Sequence, residues 1–110
     1  MTATIPTRRP DAGTDDLDAT AALSTPSVIN LALDRVRAEQ QRANHVLVGA
    51  GKCRRLSALY EHEARLWTLL SRHTAEHVYR RAAVEAQCAA RGRAREYAEL
   101  ALTWPTGGAR

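Results

Sequence analysis

The sequence lacks phenylalanine, has only one lysine and two cysteines, and contains no long run of apolar residues. Two cysteines cannot form the disulfide framework of a small secreted protein, so a reducing, cytoplasmic setting is expected. No apolar run reaches the roughly 20 residues that a helix needs to cross a bilayer. The sequence therefore predicts neither a membrane-spanning segment nor a membrane partner.

Alanine supplies much of the apolar composition. The chain has 21 alanines, against 20 residues of leucine, isoleucine and valine together. Alanine is the strongest helix former, but its side chain buries little apolar surface. The composition therefore predicts a helical chain with a thin core, which favours burial against a second copy or another partner.

The stretch from Arg54 to Arg91 contains no proline or glycine over its 38 residues. Its apolar side chains recur at helical spacing. They are Leu56, Leu59, Tyr60, Leu66, Trp67, Leu70, Val78, Val84 and Cys88. The pattern predicts one helix of about 57 Å, or two helices with a break near residues 71–74.

The segment before this stretch divides into a tail and a first helix. Residues 1–24 carry four acidic and two basic side chains among Thr, Ala and Pro, and we expect a disordered tail. Thr25 suits a helix N-cap and Pro26 suits the first helical position. The first helix is therefore predicted over 26–48, with Gly49 as its C-cap and residues 49–53 as the turn that follows.

The C-terminal part of the chain is predicted to be broken at Gly92. A short amphipathic helix is expected over 93–103, followed by a loose C-terminus at 105–110. Residues 25–104 then form a single all-α domain. We expect a helical hairpin or three-helix bundle with one long central helix, and we expect it to oligomerise.

A glycine-rich stretch from Val46 to Lys52 is similar to a strand that leads into a phosphate-binding loop. A Walker A loop needs a glycine five residues before its Gly-Lys pair, and a serine or threonine after it. Those positions hold Val46 and Cys53. A turn between helices is therefore favoured, and no nucleotide cofactor is predicted.

The run from His73 to His77 matches the His-x-x-Glu-His pattern of some zinc proteases. Two histidines four apart share a helical face and could bind zinc, but a third protein ligand is required. No such ligand lies at an informative spacing. His73 and His77 are thus kept as metal candidates, while a polar layer or an exposed pair is preferred, and no metal, cofactor or enzymatic activity is predicted.

Basic residues outnumber acidic ones in the body of the chain. Residues 27–110 carry 14 basic and eight acidic side chains. The clusters that could contact phosphates or an acidic partner are Lys52, Arg54, Arg55, Arg80, Arg81, Arg91, Arg93 and Arg95. Aromatic residues are not interleaved with these arginines along the sequence, as base stacking would require. A solvated helix face is therefore the favoured interpretation of these clusters.

These patterns predict a small non-enzymatic helical module for protein–protein interaction that associates with itself and with an unidentified protein. The apolar surface predicted to meet a partner consists of Leu66, Trp67, Leu70, Val78 and Val84. The alternative is a nucleic-acid-binding accessory or regulatory protein that uses the arginine clusters.

Overall fold

A computed structural model of the chain describes residues 25–105. This range contains three α-helices and no strand: α1 (Pro26–Val46), α2 (Gly49–Arg72) and α3 (His77–Thr103). The predicted all-α class is confirmed.

Two sequence predictions lie outside the described residues. These are the tail at 1–24 and all but the first residue of the C-terminal segment at 105–110. Among the described helices, none combines the length and apolar character that a membrane span requires.

The start of α1 agrees with its predicted cap. The hydroxyl of Thr25 accepts a 3.3 Å hydrogen bond from the backbone N–H of Val28, and Pro26 occupies the first helical position. The helix ends at Val46, two residues earlier than predicted, where Leu47 turns to an extended conformation as the C-cap.

The predicted turn at residues 49–53 is wrong, because α2 already begins at Gly49. The extended residues Leu47 and Val48 are enough to reverse the chain. Gly49 has a φ of +70°, in the left-handed region where glycine escapes the steric penalty of a Cβ atom. It therefore serves the entry to α2 and not the exit from α1.

The interpretation of 54–91 as one helix is wrong, and the alternative with a break is confirmed. The backbone N–H of His73 bonds to the carbonyl of Leu70 at 3.0 Å, which tightens the last turn of α2. The hydroxyl of Thr74 donates to the same carbonyl at 3.0 Å. Arg80 in α3 then donates to the carbonyl of Thr74 at 3.0 Å. These bonds satisfy backbone groups that a continuous helix would use.

The predicted break at Gly92 is also wrong, because α3 continues to Thr103. On either side of Gly92, Ala90 and Ala94 are buried. The hydroxyl of Ser57 donates a 2.8 Å hydrogen bond from α2 to the carbonyl of Ala94. Glycine inside a helix costs about 1 kcal/mol, and this packing offsets the cost.

The central helix is α2, which packs against both α1 and α3, while α1 and α3 make little contact with each other. One core cluster joins Ile29, Leu33 and Val36 of α1 to Leu66 and Leu69 of α2. A second cluster contains Ala43, Leu56 and Leu59, with Tyr60 and Tyr97 at its edge. The fully buried residues of α3 are all alanines: Ala83, Ala90 and Ala94.

Candidate interaction surfaces

The apolar surface predicted for a partner is largely used within the chain. Leu66 is only 6% exposed, and Trp67 and Leu70 pack against the cluster that it forms with α1. These three residues therefore pack against α1 within the chain, where Trp67 and Leu70 remain partly exposed. Val78 and Val84 on α3 are 71% and 42% exposed.

More large apolar side chains are exposed than buried in the described range. Seven are buried, and all lie on α1 and α2: Ile29, Leu33, Val36, Leu56, Leu59, Leu66 and Leu69. Eleven are exposed: Val28, Leu31, Val46, Leu47, Val48, Val78, Tyr79, Val84, Leu100, Leu102 and Trp104. The helix α3 contributes no residue to the buried group and five to the exposed group. Trp104 lies just beyond the end of α3.

Several of these exposed residues lie at the end of α1, in the α1–α2 turn or at the end of α3. A Cβ atom on Gly49 would lie 3.7 Å from the indole Nε1 of Trp104, so the end of α3 adjoins the α1–α2 turn. We call Val46, Val48, Leu102 and Trp104 the turn-end surface. Their exposed fractions are 68%, 82%, 87% and 41%.

The basic run at residues 91–95 does not form one cluster. Arg91 reaches Glu61 of α2 with a nitrogen–oxygen distance of 4.0 Å. Arg93 instead lies over the ring of Tyr60, 5.8 Å from its centroid, beside the groove towards α1. The two arginines therefore point to different sides of α3.

Three other basic candidates also have partners within the chain. Arg55 forms a 2.7 Å ion pair with Glu39, and Arg81 pairs with Glu85 at 3.6 Å. Arg80 is bonded to the turn before α3, as described above. The remaining candidates Lys52, Arg54 and Arg95 have no carboxylate within 4.0 Å among residues 25–105.

The two metal candidates lie at the ends of different helices. His73 is the C-cap of α2 and His77 is the first residue of α3, so the expectation of a shared helical face is wrong. Within the described range, no group of three or more His, Cys, Asp or Glu side chains is placed to hold a metal ion.

The carboxylate of Glu63 on α2 is buried and connects α2 to α1. Glu63 is 7% exposed, and its two oxygens accept hydrogen bonds from Gln40 at 2.8 Å and Trp67 at 2.9 Å. The guanidinium of Arg37 lies 3.9 Å from the same carboxylate and 5.6 Å from the centroid of Trp67. The carboxylate is thus held by α1 and by its own helix.

An open groove of about 390 Å³ lies over this carboxylate, between α1 and α3. The rings of Tyr60 and Tyr97 stack there with centroids 5.8 Å apart. Burial, followed by the neighbouring Tyr97, raises the pKa of Tyr60 above its usual value. Aromatic rings and arginines are therefore adjacent in space, although they are not interleaved along the sequence.

A second groove lies between α1 and α2 on their other side, with a volume of about 450 Å³. It is bordered by Arg35, Arg55, His62 and Arg65. Of these, only Arg55 is among the site residues that the sequence predicts. Arg35, His62 and Arg65 could be predicted to share a groove only from their helical spacing together with the antiparallel pairing of α1 and α2. A single stretch of sequence does not reveal that pairing.

Comparison with known proteins gave no relative: no protein-family model matches the chain, and neither a curated protein nor a solved structure resembles it significantly. The chain's own surfaces are therefore the basis for inferring its function.

Proposed function

We propose that the protein is a small non-enzymatic helical module that acts through protein–protein contacts and associates with itself. The observation that carries this proposal is the excess of exposed over buried large apolar side chains in the described range. Large contiguous apolar areas on a protein surface are typical of sites where another protein binds. A thin core of this kind gains stability when a second chain covers the exposed side chains.

The turn-end surface is the contact that we propose for self-association. Val48 and Leu102 are its most exposed members, at 82% and 87%, so they have the most apolar area left to bury. Complete burial of one such side chain contributes about 1.5–3 kcal/mol. Burying this surface in both copies of a symmetric dimer would double the number of side chains covered.

Sedimentation equilibrium over a wide range of protein concentrations tests this proposal. We expect the mass to rise with concentration above the 12.1 kDa of one chain. The double variant Val48→Asp/Leu102→Glu is expected to remain monomeric, because two carboxylates would be desolvated in the contact. Ala82→Glu is the matched control, since Ala82 is an exposed residue of α3 outside the turn-end surface.

A wild-type chain that stays monomeric at every concentration, and unfolds cooperatively, would exclude self-association. Association that persists unchanged in the double variant would instead place the contact elsewhere. The exposed Val78 and Val84 of α3 would then be the next surface to test.

Nucleic-acid binding is the second candidate function. It is favoured by the absence of an ion-pair partner, within the described range, for Lys52, Arg54 and Arg95. Binding of a labelled mixed-sequence duplex at low and moderate salt tests it. Each phosphate contact adds about −0.9 to the slope of log affinity against log salt, so Arg54→Gln/Arg95→Gln should make that slope shallower by nearly two. No binding at low salt would remove this candidate.

A further inference from the structure

Four arginines border the outer groove between α1 and α2. The larger recess of this groove has a volume of about 450 Å³ and is bordered by Arg35, Arg55 and Arg65. A smaller recess of about 250 Å³ adds Arg42 and shares Glu39 and Arg55 with the first. The two recesses are therefore contiguous along the helix pair.

Helical spacing explains why these charges converge. Arg35, Glu39 and Arg42 recur at intervals of four and three residues on α1, so they share one face. Arg55, His62 and Arg65 do the same on α2 at intervals of seven and three. Because α1 and α2 are antiparallel neighbours, the two faces border one groove. Its floor is apolar and consists of Ala32, Val36, Ala58 and Leu59.

The charge in this groove is poorly balanced. Glu39 is the only carboxylate that borders it among the described residues, and it is paired with Arg55 at 2.7 Å. No carboxylate in the described range lies within 4.0 Å of Arg35, Arg42 or Arg65. Three guanidinium groups therefore lack a counter-charge from residues 25–105.

His62 lies in the same groove and is sensitive to this charge. Its pKa is lowered, first by burial and then by the positive charge of Arg65, while Glu39 acts in the opposite direction. A bound anion would favour the imidazolium form and raise this pKa. The pKa of His62 should therefore report whether an anion occupies the groove.

We propose that the α1–α2 groove is a binding site for a phosphate group, held by Arg35 and Arg65, which border its larger recess without a carboxylate partner in the described range. Guanidinium groups match the geometry of phosphate oxygens and can bind them in a bidentate manner. The apolar floor beside the arginines accommodates the carbon part of a phosphorylated molecule. The inference does not depend on self-association, because none of these arginines belongs to the turn-end surface.

The probe for the test is inorganic pyrophosphate, added to the full-length chain at constant ionic strength set with sodium chloride. The readout is the NMR titration of the His62 ring, assigned by loss of its signal in His62→Gln. We expect the pKa of His62 to rise with pyrophosphate and not with chloride. Calorimetry on the same samples gives the dissociation constant.

The variant Arg35→Gln/Arg65→Gln should weaken pyrophosphate binding at least ~10-fold, because two charge-assisted contacts are lost. Its far-UV circular dichroism should match the wild type, since both arginines are exposed. The matched control Arg72→Gln/Arg81→Gln removes the same charge at exposed positions outside this groove and should leave the affinity unchanged. Equal weakening by both variants would mean a general charge effect and would overturn the proposal.

A single-stranded oligonucleotide distinguishes two sources of the phosphate. If it displaces pyrophosphate and its binding is lost in Arg35→Gln/Arg65→Gln, the groove binds a nucleic-acid backbone. If only pyrophosphate binds, the ligand is a small phosphorylated molecule. A His62 titration that does not change with millimolar pyrophosphate would overturn the proposal.

Discussion

The side-chain amide of Gln40 donates a 2.8 Å hydrogen bond to the carboxylate of Glu63 and so joins α1 to α2 inside the core. Gln40 is 8% exposed and Glu63 is 7% exposed. The second carboxylate oxygen is bonded to the indole of Trp67. A buried carboxylate is tolerated here because each oxygen has a donor.

The Gln40–Glu63 hydrogen bond predicts that substitutions at the two residues have non-additive effects on the free energy of unfolding. Gln40→Leu should lower the free energy of unfolding by about 1–3 kcal/mol, because the buried carboxylate loses a partner. Gln40→Leu/Glu63→Met should destabilise the chain by less than the sum of the two single substitutions, since both partners of the Gln40–Glu63 bond are then apolar. Some loss should remain, because the indole of Trp67 also loses its acceptor. Urea denaturation of the wild type, both single variants and the double variant measures the coupling. Additive effects of the two substitutions would mean that the bond does not form.

The sequence predicts the helical class, but it does not predict which polar residues on the buried helix faces bond to each other. Ile29, Leu33 and Val36 recur at intervals of four and three residues, so helical spacing accounts for the buried face of α1. The same spacing does not explain why the polar Gln40 is buried on that face. Its partner Glu63 lies 23 residues away on another helix. Because periodicity describes one helix at a time, it cannot reveal which polar residues of two helices will pair.

Substitution of two glycines gives a second prediction, because Gly49 has a positive φ and Gly92 lies inside a regular helix. Gly49→Ala should destabilise the chain by about 1–2 kcal/mol, since its φ of +70° is unfavourable for a residue with a Cβ atom. Gly92→Ala is the control: it lies within α3, and an added Cβ atom would meet nothing within 4 Å. It should stabilise the chain by about 0.5–1 kcal/mol. Denaturant midpoints of the two variants should therefore move in opposite directions.

These glycines also show why helix boundaries were the least accurate predictions. The sequence predicts the end of α1 at Gly49 and a break at Gly92, whereas Gly49 begins α2 and Gly92 lies inside α3. Propensity alone makes a glycine a break at either position. The outcome depends on backbone dihedral angles at Gly49 and on packing around Ala90 and Ala94, and both are set by the tertiary structure.

His62 predicts how stability depends on pH. Its pKa in the fold is lowered below the ordinary value of 6.5, so the unfolded chain binds this proton more readily than the folded chain. Its contribution is therefore present in full above pH 6.5 and is lost as the pH falls from 6.5 through the lowered pKa. Denaturant unfolding on both sides of that range should show less stability on the acidic side. The His62→Gln variant should show a smaller decrease; an identical decrease would assign the effect to other groups.

The cysteines differ in accessibility, which predicts their reactivity. Cys53 is buried in α2 and Cys88 is exposed on α3. A thiol reagent should therefore modify one cysteine per chain rapidly under native conditions, and the second only as α2 opens. Cys88→Ser should abolish the rapid phase, and Cys53→Ser should preserve it. Two rapid phases in the wild type would mean that the start of α2 opens readily.

The same labelling experiment locates the self-association contact. Cys88 lies 14 residues before Leu102 on α3, about 21 Å along the helix, but only four residues after Val84. If copies meet through the turn-end surface, the labelling rate of Cys88 should stay constant as the protein concentration rises. If they meet around Val84, a neighbouring chain covers Cys88 and the rate should fall. The Val48→Asp/Leu102→Glu variant should then leave that decrease unchanged, which would contradict the turn-end surface as the contact.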